Sequence, residues 1–330
     1  MRSLPQAALL ASLAAAAQAQ AAPPLDQESI WTLQVENDAV STQKGTSDQY
    51  YTSGLRLGWT SGQDVVGPVA SLGHSIWGGG TSRLSIDISQ SIFTPRATQV
   101  SPAPLNDRPY AADLLASFSL VHDSAQSREV LSLSLGVLGP AALGREVQNG
   151  FHSIIGDTPN RGWHNQLPDQ PIFNLLAQRT LRIPLVQLGP IETDVLPSAT
   201  LAIGDLRDYA QLGGTLRFGQ GLQSDFGTPR IAPGLSGTDA YTAPRPFAWY
   251  AFAGVDGQAV GYDVTLDGST FRNGSRDVHR LWDVGEFEGG LAVMAYGLRL
   301  TYTQTWQSQE FRHAKGGLFN FGSLALSAKF

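Results

Sequence analysis

The sequence predicts an all-β fold: a closed antiparallel transmembrane β-barrel of about 12 strands, with a short helix in a long extracellular loop. Apolar and polar residues alternate with period two along many segments, which is typical of strands that have two different faces. Charged residues make up 15% of the chain, well below the roughly 25% of soluble domains. The last segment alternates Leu324, Leu326, Ala328 and the terminal Phe330 with polar or small residues, so its apolar face ends on an aromatic ring.

The alternating segments have the length of about 9–11 residues or more that membrane strands need. An open sheet edge in hydrocarbon would leave backbone groups unpaired at several kcal/mol each, so these strands must close into a barrel. A soluble β-sandwich, whose strands also alternate, is the structural alternative. Aromatic residues near strand ends predict interfacial girdles, namely Trp31, Trp59, Tyr209, Trp249, Tyr296, Tyr302 and Trp306. The predicted strands are 29–38, 50–61, 83–93, 111–122, 127–138, 173–183, 191–204, 208–219, 248–266, 283–294, 298–311 and 318–330.

The connections define two ends of the barrel, because both termini of such a barrel face the periplasm. Two periplasmic connections, 62–82 and 220–247, are longer than the short turns expected there. Either the strand count is off at these places or strands protrude beyond the membrane. The loops predicted to face outward are 39–49, 94–110, 139–172, 205–207, 267–282 and 312–317.

The N-terminus and the composition indicate the cellular compartment of the protein. Arg2, the apolar residues 7–17 and two small-x-small sites predict a signal peptide over residues 1–21 and an outer-membrane barrel domain over 22–330. The expected location is the outer membrane of a Gram-negative bacterium. The chain contains no Cys, which excludes disulfides and thiolate chemistry. Its net charge of -6 argues against a nucleic-acid partner.

Two polar clusters lie at the outer ends of the first two strands. Asn37 continues the lipid-facing register of β-strand 29–38, and Asp38 points the other way. Carboxylate and amide oxygens suit Ca²⁺, although Asn and Asp are also common at plain strand-to-loop turns. Thr52 opens the next strand and is expected near Asn37 and Asp38, where its hydroxyl could bind a metal, water or substrate. Tyr and Thr around it also simply favour strands.

A third cluster lies in the longest outward loop. Residues 146–156 predict a short amphipathic helix that ends at Gly156. Gln148 and His152 are four residues apart and share one face of it. His suits general base chemistry near neutral pH, and His152 is the His with polar partners at helical spacing on the outward side. A surface His that is hydrogen-bonded only for structure is the alternative.

Taken together and in order, these motifs resemble the lipid A 3-O-deacylase family of the Gram-negative outer membrane. The matching segments are 36–38, 50–55, 107–111, 136–140, 147–152 and 162–163, followed by 225–227, 252–254 and the terminal strand. They cover nearly the whole mature chain, and the ordered set is specific. The resemblance implies a twelve-stranded barrel that removes the 3-linked acyloxyacyl chain of lipid A, or of lipopolysaccharide, by Ca²⁺-assisted ester hydrolysis at its outer-leaflet end.

The resemblance also implies roles for individual residues. His152 is the catalytic base that takes a proton from water, and Asp38 holds part of the Ca²⁺ that polarises the ester. Asn37 or Thr52 completes the oxyanion site or the metal shell, and Gln148 is the helix Gln. The family's acidic residue six positions after the His is replaced here by Thr158, with Asp157 beside it as the candidate second metal ligand.

One further family residue, a Lys in the second outward loop, has no clear counterpart in this chain. Arg96 or Arg108 is the candidate substitute. The chain is expected to act as a monomer. Two other functions remain open: a non-enzymatic pore or structural barrel, and an outer-membrane phospholipase with a Ser nucleophile.

Overall fold

The computed structural model describes residues 25–41, 48–243 and 245–330. The predicted signal peptide, residues 1–21, therefore lies outside the described residues. Within the described residues, thirteen antiparallel strands form one sheet. They are β1 (Ile30–Asn37), β2 (Tyr50–Thr60), β3 (Thr81–Thr94), β4 (Ala111–Asp123), β5 (Ser127–Leu138), β6 (Gln170–Leu181), β7 (Ile183–Leu188), β8 (Ile191–Gly204), β9 (Arg207–Gln220), β10 (Phe247–Asp263), β11 (Asp283–Ala295), β12 (Leu298–Gln307) and β13 (Phe319–Lys329).

The sheet closes on itself, which confirms the predicted barrel. Neighbours in sequence pair along the wall, β13 pairs with β1, and a β6–β8 pairing closes the ring. All twelve predicted strands are present. The unpredicted strand is β7, which follows β6 after Arg182 and continues its pairing along the same edge of β8, from Thr180–Ser198 to Ile183–Val195. Every residue of β7 is exposed.

The alternation sorts side chains between lipid and lumen as expected. On β1, Trp31 and Leu33 are exposed, whereas Thr32, Gln34 and Glu36 are fully buried. Five of the seven predicted girdle aromatics lie on outward strand registers, and Tyr296 is exposed in the turn after β11. Tyr209 was assigned wrongly to the girdle, because it is only 7% exposed and packs in a buried cluster with Ala202, Val260 and Val284.

The two long periplasmic connections are neither miscounted nor protruding strands. The first contains helix α1 (Gly67–Trp77), which packs on β3 and β4. The second, here called the inner segment and made of residues 221–243, 245 and 246, folds into the lumen and bonds the inward faces of strands around the wall. Gln34 donates to the carbonyl of Pro229, and the Glu36 carboxylate accepts from the backbone of Ile231 and Ala232.

Buried ion pairs fix the inner segment to the wall. Asp225 binds both Arg217 (2.7 Å) and Arg299 (3.2 Å), and Arg230 binds Glu286 at 2.7 Å. Arg56 binds Asp239 at 2.6 Å. A charge inside a barrel wall must be paired, so this network explains why a polar, Gly- and Pro-rich connection has one defined path.

The remaining helices are α2 (Gly144–Ile155), in the outward loop between β5 and β6, and the single turn α3 (Val264–Asp267). In the described part of the chain, no helix is both long and apolar enough to span a membrane.

Candidate functional site

The outer ends of β1 and β2 place Asp38 and Thr52 together. Asn37 pairs with Ser53, so Asp38 and Thr52 are the next residues outward on the two strands. Asp38 opens a 3₁₀ turn over Asp38–Val40. Both side chains are almost fully buried, at 2% and 1% exposed, while Asn37 is half-buried on the other register.

Helix α2 forms where the sequence predicted it and stops for the predicted reason. Gly156 adopts the left-handed conformation at φ 77°, and its amide donates to the His152 carbonyl. Gly tolerates this conformation because it has no Cβ. Gln148 and His152 are buried, at 5% exposed each, whereas Phe151, Ile154 and Ile155 are exposed on the opposite face. The helix therefore turns its polar face toward the barrel and its apolar face outward.

Two acceptors hold the His152 ring. The Nε2 atom lies 2.9 Å from the Asp48 carboxylate, and the Nδ1 atom lies 3.0 Å from the backbone oxygen of Thr158. Asp48 also accepts from the Asn160 amide at 3.0 Å. Sequence reasoning missed Asp48, since nothing in the loop after β1 distinguishes it from a solvated acid. The structure brings it to a His more than a hundred positions away.

Hydrogen bonds connect Thr52 to this pair. The Thr52 and Thr94 hydroxyls are 2.7 Å apart, and Thr94 donates to the Asp48 carbonyl at 3.0 Å. Thr52, Asp48 and His152 are thus joined through one intervening side chain. Asp38 and His152 consequently share the outer end of the barrel, on neighbouring parts of the wall, because α2 packs against β3 and β4.

In the part of the chain that the structure describes, only one of the two polar atoms of the Gln148 side-chain amide is hydrogen-bonded. Its Oε1 atom accepts from the Trp163 indole at 2.8 Å, while Nε2 is buried without a hydrogen-bond partner among the described residues. Trp163 packs against Tyr110, with ring centroids 4.9 Å apart. Burial raises the pKa of the Tyr110 phenol, so it remains a donor, here to the carbonyl of Thr98. An amide with two unused N–H groups facing a buried site can bind an acceptor oxygen.

The remaining predicted residues lie differently. Asp157 is exposed, and its carboxylate accepts from the neighbouring Thr158 amide at 2.6 Å. Arg108 is fully buried and binds Glu310 at 2.6 Å while stacking on Phe93, which makes it a structural residue. Arg96 is exposed and lines an outward cleft of about 430 Å³ with His313 and Lys315. Of the two candidates for the missing Lys, only Arg96 faces the surroundings.

The donor chemistry at this end fits a hard cation. Asp38 offers a buried carboxylate and Thr52 a hydroxyl, and oxygen donors are those that Ca²⁺ takes. Within residues 25–41, 48–243 and 245–330, no group of three His, Cys, Asp or Glu side chains could hold a metal. Backbone oxygens, water or substrate would therefore have to supply most of a Ca²⁺ shell.

The closed barrel, with its apolar outer face and polar lumen, defines the class of outer-membrane β-barrels. The buried polar site at one end of it is of the kind that enzymes use. The chain belongs to the outer membrane protein LpxR family, whose sequence profile matches residues 6–330. This confirms the lipid A 3-O-deacylase family that the ordered motifs predicted, and with it a location in the Gram-negative outer membrane. Membership supports an outer-membrane lipid A deacylase.

Solved structures agree on the fold. LpxR from Salmonella typhimurium superposes with a TM-score of 0.75 at 23% identity, covering 92% of this chain and 100% of that one. The beta domain of the Bordetella autotransporter BrkA covers 93% and 98% but reaches a TM-score of only 0.42 at 10% identity, too low to inform the comparison. No curated protein sequence matches the chain.

Proposed function

We propose that this protein hydrolyses the 3-linked acyloxyacyl ester of lipid A or lipopolysaccharide, with His152 as the general base. The observation that carries the proposal is the contact of 2.9 Å between the buried His152 ring and the partly exposed Asp48 carboxylate at the same barrel end as Asp38 and Thr52. A carboxylate that orients an imidazole is the arrangement by which enzymes raise the basicity of the other ring nitrogen. The exposed apolar face of α2, with Phe151 and Ile154, would contact the acyl region.

The two acceptors on His152 decide which nitrogen is basic. A neutral imidazole has one N–H and can satisfy only one of them. A charged carboxylate is a stronger acceptor than a neutral carbonyl, so Nε2 carries the proton toward Asp48. Nδ1 is then the atom that takes a proton from the attacking water. The water would need the place now held by the Thr158 carbonyl, so the exposed segment 157–159 must shift when lipid binds.

The ester carbonyl needs donors for its developing negative charge. The buried Nε2 amide of Gln148 is the best-placed protein donor, with Asn37 and Thr52 on the β1–β2 side. Removing one such donor typically costs about 10²–10³-fold in kcat. Bound Ca²⁺, held in part by Asp38, would supply further electrostatic stabilisation of that oxygen. Water, rather than a Ser, is the nucleophile in this mechanism, so no covalent acyl-enzyme forms.

The inner segment disfavours the pore alternative. The inner segment crosses the lumen and bonds wall strands on opposite sides, from Gln34 on β1 to Gln178 on β6. A lumen crossed by bonded backbone is suited to supporting a rim site and not to conducting ions.

The proposal is tested by incubating purified, folded protein with lipid A and following the products by mass spectrometry. We expect loss of one acyloxyacyl unit, dependence on Ca²⁺, and loss of activity in chelator. With few charged ligands, we expect an apparent Kd for Ca²⁺ of about 10⁻⁴ to 10⁻³ M.

His152→Ala, checked for heat-modifiable gel mobility to show an intact barrel, should abolish deacylation. Full activity in that variant would remove His152 from the mechanism. A Ser-directed reagent that traps an acyl-enzyme would instead favour the phospholipase alternative. Ion conductance without deacylation would favour the pore.

A further inference from the structure

Helix α1 packs against the outer wall of the barrel and does not cover the opening at its periplasmic end. On β3 and β4, residues such as Ile88 (57% exposed) and Phe118 (43% exposed) face the lipid. Ser82 and His122, which pair with one another across the two strands, belong to the same outward register. They are nevertheless only 2% and 1% exposed, because α1 covers them.

The contact is close and specific. Gly73 lies so near the wall that an added Cβ would meet the Ser82 hydroxyl at 2.0 Å and His122 Nδ1 at 3.1 Å. The Trp77 ring stacks on the His122 ring with centroids 5.4 Å apart, and Ser82 and His122 are themselves bonded at 2.8 Å. These contacts fix α1 where β3 begins and β4 ends, which is the periplasmic end and opposite to α2.

The side of α1 that does not contact the barrel wall has two flanks. One flank is apolar: Leu72 and Ile76 are 51% and 48% exposed, and Val65 just before the helix is 56% exposed. The other flank carries Ser71 and Ser75, which are also exposed. Between Gly67 and Trp77 there is no Asp, Glu, Lys or Arg.

We propose that α1 is an interfacial helix whose Leu72–Ile76 flank is inserted among the phospholipids of the periplasmic leaflet. The apolar flank is continuous with the lipid-facing wall of β3 and β4, so the same membrane that surrounds the barrel meets it. Burial of apolar area among the lipid chains stabilises such a helix in the interface. Because α1 lacks charged residues, its insertion depends on the acyl chains and not on anionic headgroups.

The absence of Cys in the chain allows a clean test by site-specific labelling. Ile76→Cys and Ser71→Cys, five residues apart and thus about 140° apart around the helix, are each labelled with the fluorophore NBD. Both proteins are reconstituted in phosphatidylcholine vesicles that contain lipids with a quencher on the acyl chain. Heat-modifiable mobility confirms that both barrels are folded.

We expect the Ile76 label to emit at shorter wavelength and to be quenched several-fold more than the Ser71 label. The difference should persist in about 1 M salt, where charge interactions are screened beyond about 3 Å. Equal, water-like emission from both labels would overturn the proposal. So would protection of the Ile76 label only in samples where that cysteine crosslinks to a second copy, because the flank would then be a protein contact. Neither result depends on deacylase activity.

Discussion

At the scale of single residues, the acid that matters to His152 comes from an unexpected part of the chain. The sequence offered Asp157, which stands next to the position where the family pattern has an acid. Its carboxylate instead binds its own loop at the Thr158 amide, and Thr158 contributes a backbone oxygen to Nδ1. Asp48, from the loop after β1, supplies the carboxylate on Nε2. The role of Asp157 as a metal ligand stays a prediction.

Asp48→Asn should lower kcat for deacylation by about 10²–10⁴-fold with little change in KM. The Asn oxygen can still accept from Nε2, but it lacks the charge that stabilises the imidazolium formed when water is deprotonated. Steady-state kinetics with lipid A in mixed micelles measures both constants.

Asp157→Asn is the matched control for that variant, since it neutralises the neighbouring exposed acid. Wild-type kcat with an unchanged Ca²⁺ requirement would separate the two acids. A higher Ca²⁺ requirement in Asp157→Asn would support Asp157 as a metal ligand. Unimpaired kcat in Asp48→Asn would contradict the dyad.

At the scale of elements, α2 presents the site because its end is fixed. Gly156 turns the chain out of the helix, so that the next residues fold back and bring the Thr158 carbonyl to His152. The amide of Asp157 also donates to the His152 carbonyl at 2.9 Å. Before lipid binds, the geometry of the His ring thus depends on Asp48 and on one left-handed residue four positions away.

Gly156→Ala should reduce activity several-fold and increase proteolytic nicking of the loop, without changing the stability of the barrel. A Cβ at Gly156 would meet no atom within 4 Å, so the cost is the left-handed backbone alone, about 1–2 kcal/mol. Limited proteolysis and heat-modifiable mobility, measured side by side, distinguish the loop from the barrel.

Gly150→Ala serves as its control. Gly150 lies inside α2, also with open space around its Cβ position, and Ala there favours the helix by about 1 kcal/mol. Equal loss of activity in both variants would show that the loop tolerates no added methyl group, and not that the left-handed turn is required.

At the scale of the whole molecule, the barrel is a shell around a folded-in polar segment. Arg230 on the inner segment is fully buried between Glu286 and Glu288, at 2.7 Å and 3.5 Å. Removing one partner of a buried pair leaves uncompensated charge and typically costs about 3–5 kcal/mol. The inner segment therefore contributes to the stability of the wall as well as to the filling of the lumen.

Arg230→Met should lower the temperature of the heat-induced gel-mobility shift and raise ion conductance in planar bilayers. Arg179→Met provides the comparison, because the Arg179 side chain is 66% exposed where it pairs with Glu129, so its loss should destabilise the barrel less than the loss of the fully buried Arg230 side chain. If both variants unfolded at the wild-type temperature, the inner segment would not stabilise the barrel.

Much of the fold could be predicted from the sequence because lipid and lumen impose a period of two on every wall strand. The α2 helix could be predicted for an equally local reason, since its amphipathic spacing and the Gly156 at which it ends both lie within about a dozen residues. The inner segment could not, since a Gly- and Pro-rich stretch has no period, and its path is set by partners such as Glu36 and Arg299 on distant strands.

By itself, the sequence predicted the barrel and the family, because alternation and ordered motifs are properties of neighbouring residues. It also placed Asn37, Asp38, Thr52, Gln148 and His152 at one end, since strand order alone fixes which strand ends lie together. Only the tertiary structure decided that Asp48 meets His152, that α1 covers Ser82 and His122, and that the inner segment enters the lumen. These contacts join residues far apart in sequence, and no local pattern encodes which distant partner a buried charge will find.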